Sequence, residues 1–253
     1  MKDSFLLLLL LLATLTAWGQ PTPSSTQLVE TAQVLEQAYK DQSSAELAKF
    51  LTEWSQHLPA VTKAELQRLP ARHQEAYAVF TAFYVPHQLG RLGGSEWGND
   101  LYQKVKFLLV QNSLKIQVEN SAVRDSIDNF RPVVAVPGKQ AVYLTSAREK
   151  TLNAFLGNTH LPLGAGGIMN PARSSGESEK RQQFLGSCLR IWHGHWGGYW
   201  QLNSYPVAYT VTFSKDMQSA QIDFRMVYEG GSATLKKIQG NWQLLSSRRT
   251  WIE

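Results

Sequence analysis

The amino-acid sequence predicts an α+β fold in which N-terminal helices pack with an antiparallel sheet that ends in a four-stranded meander. Before residue 86, apolar residues recur three or four positions apart, which is the spacing of amphipathic helices. After residue 206, apolar and polar residues alternate, which is the pattern of strands with one buried face. These observations predict three segments: a signal peptide (1–19), a helical N-terminal layer (20–95) and an α+β region (96–253). The second and third segments either stand apart or form one domain.

The first residues predict an exported protein. Lys2 precedes an apolar run, Phe5–Leu12, and the small residues Ala17 and Gly19 occupy the positions that signal cleavage requires. Cleavage would leave Gln20 as the first residue of a periplasmic or secreted chain. The apolar run is shorter than the roughly 20 residues of a membrane-spanning helix, so no transmembrane segment is predicted after signal removal. A buried or membrane-anchoring N-terminal helix is the alternative interpretation.

Four helical segments are predicted in the N-terminal layer. Capping residues mark two of their starts: Ser44 begins the second segment, and Thr62 with Glu65 forms a capping box at the third. The predicted segments are Thr26–Gln42, the segment from Ser44 to Pro59, the short helix after Thr62, and Arg72–Val85. Their aromatic residues fall at core spacing, which indicates a packing layer.

Two β-hairpins and two helices are predicted between residues 102 and 190. Short turn sequences separate two pairs of apolar, β-rich runs. The runs are Val105–Val110 with Leu114–Val118, and Val133–Val136 with Gln140–Leu144. A capping box at Ser146–Glu149 begins a helix that Gly157 ends, and a second helix covers Glu177–Arg190. The irregular stretch between these helices, 157–176, is either a lid or site wall or a plain surface loop.

The chain contains one cysteine, Cys188, so no internal disulfide can form and the core alone must stabilise the fold. A nucleophilic thiol would need an adjacent histidine or a helix N-terminus, whereas Cys188 comes late in its predicted helix. Its neighbours Leu185 and Leu189 are apolar, which predicts a buried and unreactive thiol.

The most unusual stretch is Ile191–Leu202, which contains three of the eight tryptophans and two of the six histidines. Gly197-Gly198 predicts a two-residue hairpin turn, because both turn positions need positive φ. This turn would place His195 opposite Trp200. Because side chains alternate along a strand, one face would carry His193, His195 and Trp200, and the other would carry Trp192, Trp196 and Tyr199.

This aromatic stretch has two functional interpretations and one structural one. As an aromatic cleft it would bind a small ligand, a glycan or an envelope protein. The candidate binding residues are Trp192, His193, His195, Trp196, Tyr199 and Trp200. Alternatively, His193 and His195 would begin a zinc or iron site, because two imidazoles on one side of a strand suit these metals, with His160 as a further ligand. In the structural interpretation the histidines donate hydrogen bonds to carbonyls and the tryptophans fill the core; no cofactor is then predicted.

The final strands form the predicted meander. The alternating runs Val207–Phe213 and Ala220–Tyr228 come first. Gly230-Gly231 is then predicted to turn into Ala233–Ile238, and a turn at Gln239-Gly240-Asn241 leads into Trp242–Ile252. The helical segments would cover the apolar face of this sheet.

The meander carries a resemblance to a known family. Gly230-Gly231-Ser-Ala-Thr-Leu-Lys-Lys, followed by Gly240-Asn-Trp242, resembles the terminal meander of the NTF2-like (SnoaL-like) α+β cone fold. The resemblance implies a central cavity and a family that includes both small enzymes and non-catalytic binding or association modules. It implies no catalytic residue, because no catalytic motif of that family is matched. The chain as a whole resembles the many exported bacterial proteins of unassigned function.

Charge and motifs narrow the predicted function. The formal charge of +5 is spread along the chain without a basic stripe, so nucleic-acid binding is not predicted. The sequence motifs of α/β-hydrolases, zinc proteases and P-loop enzymes are absent. We therefore predict a non-catalytic binding or interaction module with an aromatic cleft. A metal-dependent hydrolase using the His-x-His pair is the alternative, and a scaffold with an inert aromatic core is a third hypothesis.

Overall fold

The structure is a computed structural model, and it describes residues 25–93, 101–122, 124–157, 176–194 and 200–252. The predicted signal peptide and nearly all of the predicted loop 157–176 lie outside the described residues. Within the described ranges, no helix is both long and apolar enough to cross a membrane.

The helices lie where helical periodicity predicts them, except that the last one ends at Leu185 and not at Arg190, so Cys188 follows it; this confirms the helical part of the α+β class. Their bounds are α1 Ser25–Lys40, α2 Ser44–His57, α3 Lys63–Arg68, α4 Ala71–Phe83, α5 Ser146–Phe155 and α6 Gly176–Leu185, with a 3₁₀ turn at Leu89–Leu92. The predicted capping box opens α3. Thr62 Oγ1 accepts from the Glu65 N–H at 3.2 Å, and Glu65 Oε2 accepts from the Thr62 N–H at 2.7 Å.

Two other predicted caps are wrong by one position. Ser43 caps α2 in place of Ser44, and Thr145 caps α5 in place of Ser146. Each observed cap has an extended backbone conformation. This conformation lets its side-chain oxygen accept a hydrogen bond from the backbone N–H of the third helical residue. The following serine is already helical, so it cannot take that role.

The strands form one large sheet and two small ones. Their bounds are β1 Phe107–Gln111, β2 Leu114–Val118, β3 Arg124–Ile127, β4 Gln140–Leu144, β5 Trp192–His193, β6 Trp200–Gln201, β7 Val207–Phe213, β8 Ser219–Met226, β9 Glu229–Ile238 and β10 Asn241–Ile252. The large sheet has the order β10-β9-β8-β7-β2-β3. Its last four strands pair antiparallel in chain order, which confirms the four-stranded meander. β2 extends it by pairing parallel to β7 and antiparallel to β3.

Neither predicted hairpin of the middle region forms. β1 pairs in parallel with β4, Leu109 lying opposite Val142, and does not pair with β2. Residues 133–136 form no strand, and Val133 is 54 % exposed. The hairpin prediction is wrong because β1 is buried on both faces, as strands of parallel sheets are, so its continuous apolar run carries no information about its partner.

The β1–β4 pair lies between two hydrophobic cores. Leu108 and Val110 belong to the core under the large sheet, here called the sheet core, together with α4 residues such as Phe83. Phe107 and Leu109 belong to the core formed with α1, α2, α5 and α6, here called the helical core. One strand therefore contributes alternate side chains to both cores, and helices from the N-terminal layer pack in each.

Gly230-Gly231 lies inside β9 and does not form the predicted turn. The chain reverses before it, at Val227-Tyr228, where Val227 has φ +49°. A Cβ at Gly231 would lie 2.2 Å from the carbonyl oxygen of Arg248, and one at Gly230 would lie 2.2 Å from the Trp251 ring. These glycines therefore allow β10 to approach β9 closely, which is a different use of glycine from a turn.

Candidate functional site

Two short strands flank the predicted Gly197-Gly198 turn, which itself lies outside the described residues, and they pair with a register different from the predicted one. β5 and β6 pair antiparallel, Trp192 opposite Gln201 and His193 opposite Trp200. The predicted partner of Trp200 was His195, so the observed register differs by two residues. A shift of two keeps every side chain on its predicted face because strand side chains repeat every second residue. His193 and Trp200 accordingly share a face, their ring centroids 5.0 Å apart and their planes perpendicular.

The described part of the hairpin is partly exposed. His193 is exposed, Trp192 is half-buried, and Trp200 is buried, with 8 % of its surface accessible. The guanidinium of Arg190 lies 4.5 Å from the centroid of the Trp192 ring, within the range of a cation–π contact. Trp200 packs in the helical core, which agrees with the structural interpretation for this one residue. The exposed surface is formed by Arg190, Trp192 and His193.

Four of the predicted site residues lie outside the described residues. They are His160, His195, Trp196 and Tyr199. The structure therefore brings together Trp192, His193 and Trp200, and it does not test the complete binding or metal set.

Two hydrogen bonds hold the hairpin backbone. The Tyr228 hydroxyl, from the turn between β8 and β9, donates to the carbonyl oxygen of His193 at 2.9 Å. The Gln182 side chain, from α6, donates to the carbonyl oxygen of Ile191 at 3.1 Å. The described part of the hairpin is thus fixed through its main chain, at the carbonyls of Ile191 and His193.

A buried polar network lies where β6 meets the β8–β9 turn. With its amide oxygen directed to Arg225, Gln201 accepts from Arg225 Nη2 at 3.0 Å and donates to the carbonyl oxygen of Val227 at 3.1 Å. Gln201 also bonds the Tyr205 hydroxyl. The Arg225 Nε donates to Val227 as well, at 2.8 Å. Because these polar groups satisfy one another, they position β6 on the sheet.

Glu229 forms a charged contact beside this network. Its side chain is only 4 % exposed, and it accepts from Arg249 Nη1 at 2.7 Å. A buried carboxylate needs such a partner, because an unpaired one would be strongly disfavoured. Sequence reasoning missed both residues. The burial of Glu229 and its pairing with Arg249, 20 residues away in the chain, depend on the tertiary fold.

Comparison of the chain with known protein families, curated proteins and solved structures found no match.

Metal chemistry has no support within the described ranges. No group of three or more His, Cys, Asp or Glu side chains there could hold a metal ion. The predicted ligands His160 and His195 are outside those ranges. His193 itself contacts Trp200 through its ring and Tyr228 through its carbonyl oxygen.

A histidine–aspartate pair lies elsewhere, between α4 and β3. His73 Nε2 is 2.8 Å from Asp125 Oδ2, and this hydrogen bond is the main reason that the pKa of Asp125 is lowered. The neighbouring Ser126 hydroxyl donates to Asp128 at 3.0 Å, so it is not directed at His73 as a nucleophile would be. The pair therefore links the helix to the sheet edge. It could not be read from the sequence, because its members are 52 residues apart.

The predicted burial of Cys188 is confirmed, since only 4 % of it is exposed. Its sulfur receives a hydrogen bond from the Ser187 hydroxyl at 3.8 Å and lies 3.9 Å from the carbonyl oxygen of Ser44. Burial raises the pKa of the thiol. Burial outweighs the Ser187 hydrogen bond, which by itself would lower this pKa, and it therefore disfavours the thiolate, the nucleophilic form.

Proposed function

We propose that this chain is an exported, non-catalytic binding protein whose recognition surface is the aromatic hairpin of residues 191–202. The observation that carries the proposal is the way the hairpin is fixed. Tyr228 and Gln182 bond its backbone carbonyls, whereas the side chains of Trp192 and His193 remain at least partly exposed. Backbone carbonyls that are already bonded beside partly exposed side chains support recognition, because little conformational entropy is then lost on binding.

The composition of this surface also supports binding. Trp and Arg are among the residues that dominate binding energy at protein surfaces, and Arg190 lies over the half-buried Trp192. The exposed imidazole of His193 adds a flat ring with polar nitrogen atoms. Such a surface suits a glycan, a small polar ligand or an envelope protein. We favour a glycan, because an exported protein meets cell-envelope saccharides.

The metal-dependent hydrolase stays a separate prediction that needs His193, His195 and His160 together. It requires about one zinc or iron per chain in protein purified without chelators, and the loss of that metal in a His193→Ala/His195→Ala variant. The binding proposal requires neither. The two proposals are therefore separated by elemental analysis of the same preparation that is used for binding.

Isothermal titration with soluble peptidoglycan fragments and neutral oligosaccharides tests the binding proposal. Trp192→Ala and His193→Ala are each expected to weaken binding by about tenfold or more, since one hot-spot contact is worth more than about 1 kcal/mol. Tyr209→Ala, which removes an exposed aromatic residue from β7, is the matched control and should bind as the unaltered protein does.

Thermal unfolding of each variant checks that the fold is retained. Binding by Trp192→Ala and His193→Ala at unaltered affinity would contradict the hairpin site. If the unaltered chain binds none of the saccharides, the glycan class is wrong.

A further inference from the structure

A cavity of about 310 Å³ lies at the entry to the β1–β4 pair. Its inner wall is formed by Tyr102 and Leu108, which are 3 % and 0 % exposed. Pro86 and Val136 add further apolar surface. Cavities that bind small molecules measure about 300–1,000 Å³ and are lined mainly by apolar groups with a few polar ones. This cavity has the size and lining for a small ligand.

The inner wall is held in place by a buried hydrogen bond. The Tyr102 hydroxyl accepts from the Tyr205 N–H at 2.6 Å. Burial raises the pKa of Tyr102, so its hydroxyl stays neutral throughout the ordinary pH range. Leu108 is fixed on the sheet-core side of β1. The cavity therefore has a formed wall before any ligand arrives, which reduces the entropic cost of binding.

Lys139 supplies a positioned charge in the cavity lining. Its Nζ donates to the carbonyl oxygens of Gln103 at 2.8 Å and Val105 at 2.5 Å. An ammonium group has three N–H donors, so two carbonyl acceptors leave one donor for a ligand. Carbonyls do not cancel the positive charge, and no ion pair connects Lys139 with a carboxylate of the residues that the structure describes.

The residues that line the cavity include one basic residue and no acidic one. Of these lining residues, only Lys139 carries a formal charge. Walls that carry charge of one sign concentrate the opposite charge at a cleft. His87 and Gln103, both exposed, add polar groups at the opening. The electrostatic preference of this cavity is therefore for an anion.

We propose that this cavity binds a small carboxylic acid with an apolar body, its carboxylate meeting Lys139 and its body lying between Tyr102, Leu108 and Val136. The apolar walls select against a bare inorganic anion, because they offer it no hydrogen bonds. The ammonium selects against the neutral form of the same ligand, since a charge-assisted hydrogen bond is about twice as strong as a neutral one. This proposal does not depend on the binding function proposed above for the hairpin, and either one can be correct without the other.

Fluorine NMR titration of the full chain tests the proposal with 4-fluorobenzoate as the probe. The neutral 4-fluorobenzamide has nearly the same shape, and its affinity is expected to be lower than that of 4-fluorobenzoate by about tenfold or more. Lys139→Met keeps the aliphatic stem and removes the charge, and it should weaken benzoate binding by about tenfold. Lys115→Met, which removes an exposed lysine from β2, is the matched control and should leave binding unchanged.

In the unaltered protein the Lys139 ammonium also links residue 139 to the 103–105 segment, so Lys139→Met could disturb the local structure. A second variant therefore tests the cavity without removing the lysine. Val136→Phe fills the cavity and keeps the charge, so it should also weaken benzoate binding by about tenfold or more. Equal binding of acid and amide, unaltered binding by Val136→Phe, phosphate binding as tight as benzoate binding, or no benzoate binding at millimolar concentration would each overturn the proposal.

Discussion

At the scale of single residues, Glu65 combines capping with an ion pair. Its carboxylate accepts from the Thr62 N–H at 2.7 Å and from Arg131 Nη2 at 3.1 Å. The backbone bond from Thr62 is the largest cause of a pKa lowered to about 2, and the bonds to the Thr62 hydroxyl and Arg131 follow. The carboxylate is 45 % exposed, so solvent screens the ion pair.

We expect Glu65→Ala to lower the free energy of unfolding by about 1 kcal/mol at neutral pH, the usual value of a helix cap. Because folding lowers the pKa, the charged carboxylate stabilises the fold above its ordinary pKa of 4.5 and loses this effect as the pH falls toward about 2. Urea unfolding at pH 7 and pH 3 should therefore show a smaller difference between variant and parent at pH 3. If the difference in unfolding free energy between variant and parent were the same at both pH values, this account would be contradicted. The control is Glu53→Ala, which removes an exposed carboxylate from α2.

Residue-scale features were predictable from the sequence only where they are local. The Thr62–Glu65 capping box can be read because its partners are three residues apart. Where serine or threonine residues are adjacent, as at Ser43-Ser44, backbone angles decide which one caps, and the sequence does not contain them. The pairing of His73 with Asp125 depends on the tertiary fold alone.

At the scale of elements, the close approach of β10 to β9 depends on Gly231. A Cβ there would lie 2.2 Å from the backbone oxygen of Arg248, which cannot rotate away as a side chain could. We expect Gly231→Ala to lower the free energy of unfolding by about 2–3 kcal/mol, the cost of overpacking. Gly240→Ala is the matched control. Its Cβ would meet nothing within 4 Å, so only the strain of φ +81° remains, about 1–2 kcal/mol. Equal losses in urea unfolding would contradict the proposed clash.

Element types were more predictable than element partners. The period of the pattern identifies β7, β8 and helices such as α2, because each has one buried face, whereas α3, which has no buried residue, is identified by its capping box. The pattern misassigns β1, whose residues Phe107 and Leu108 are buried in opposite directions, and it reads Gly230-Gly231 as a turn. In the aromatic hairpin it predicts the shared face of His193 and Trp200 but a pairing that is shifted by two residues, since a shift of two changes the partner and not the face.

At the scale of the whole molecule, the α+β class follows from composition and periodicity, whereas the two-core arrangement does not. The helical layer is not a single cover for the sheet. Helix α4 packs on the sheet core, while α1 and α2 pack with α5 and α6 in the helical core. This division depends on which face of β1 each helix meets, and that is a property of tertiary packing.

Because β1 contributes to both cores, the cores are expected to unfold together. Leu108 and Leu109 are adjacent, 0 % and 1 % exposed, and belong to the sheet core and the helical core respectively. Truncating a buried leucine to alanine costs about 2–5 kcal/mol. We expect Leu108→Ala and Leu109→Ala each to shift one cooperative transition for the whole chain, because neither core retains its strand when the other is lost.

Fluorotryptophan labelling can follow the two cores separately, since Trp242 lies in the sheet core and Trp54 in the helical core. In each leucine variant the two signals should change at the same urea concentration. If the Trp54 signal of Leu109→Ala changes at a lower urea concentration than the Trp242 signal, the helical core unfolds as an independent unit. The boundary between such units would then run through the β1–β4 pair and not through the connector near residue 95, because Val142 and Tyr143 of β4 also point to different cores.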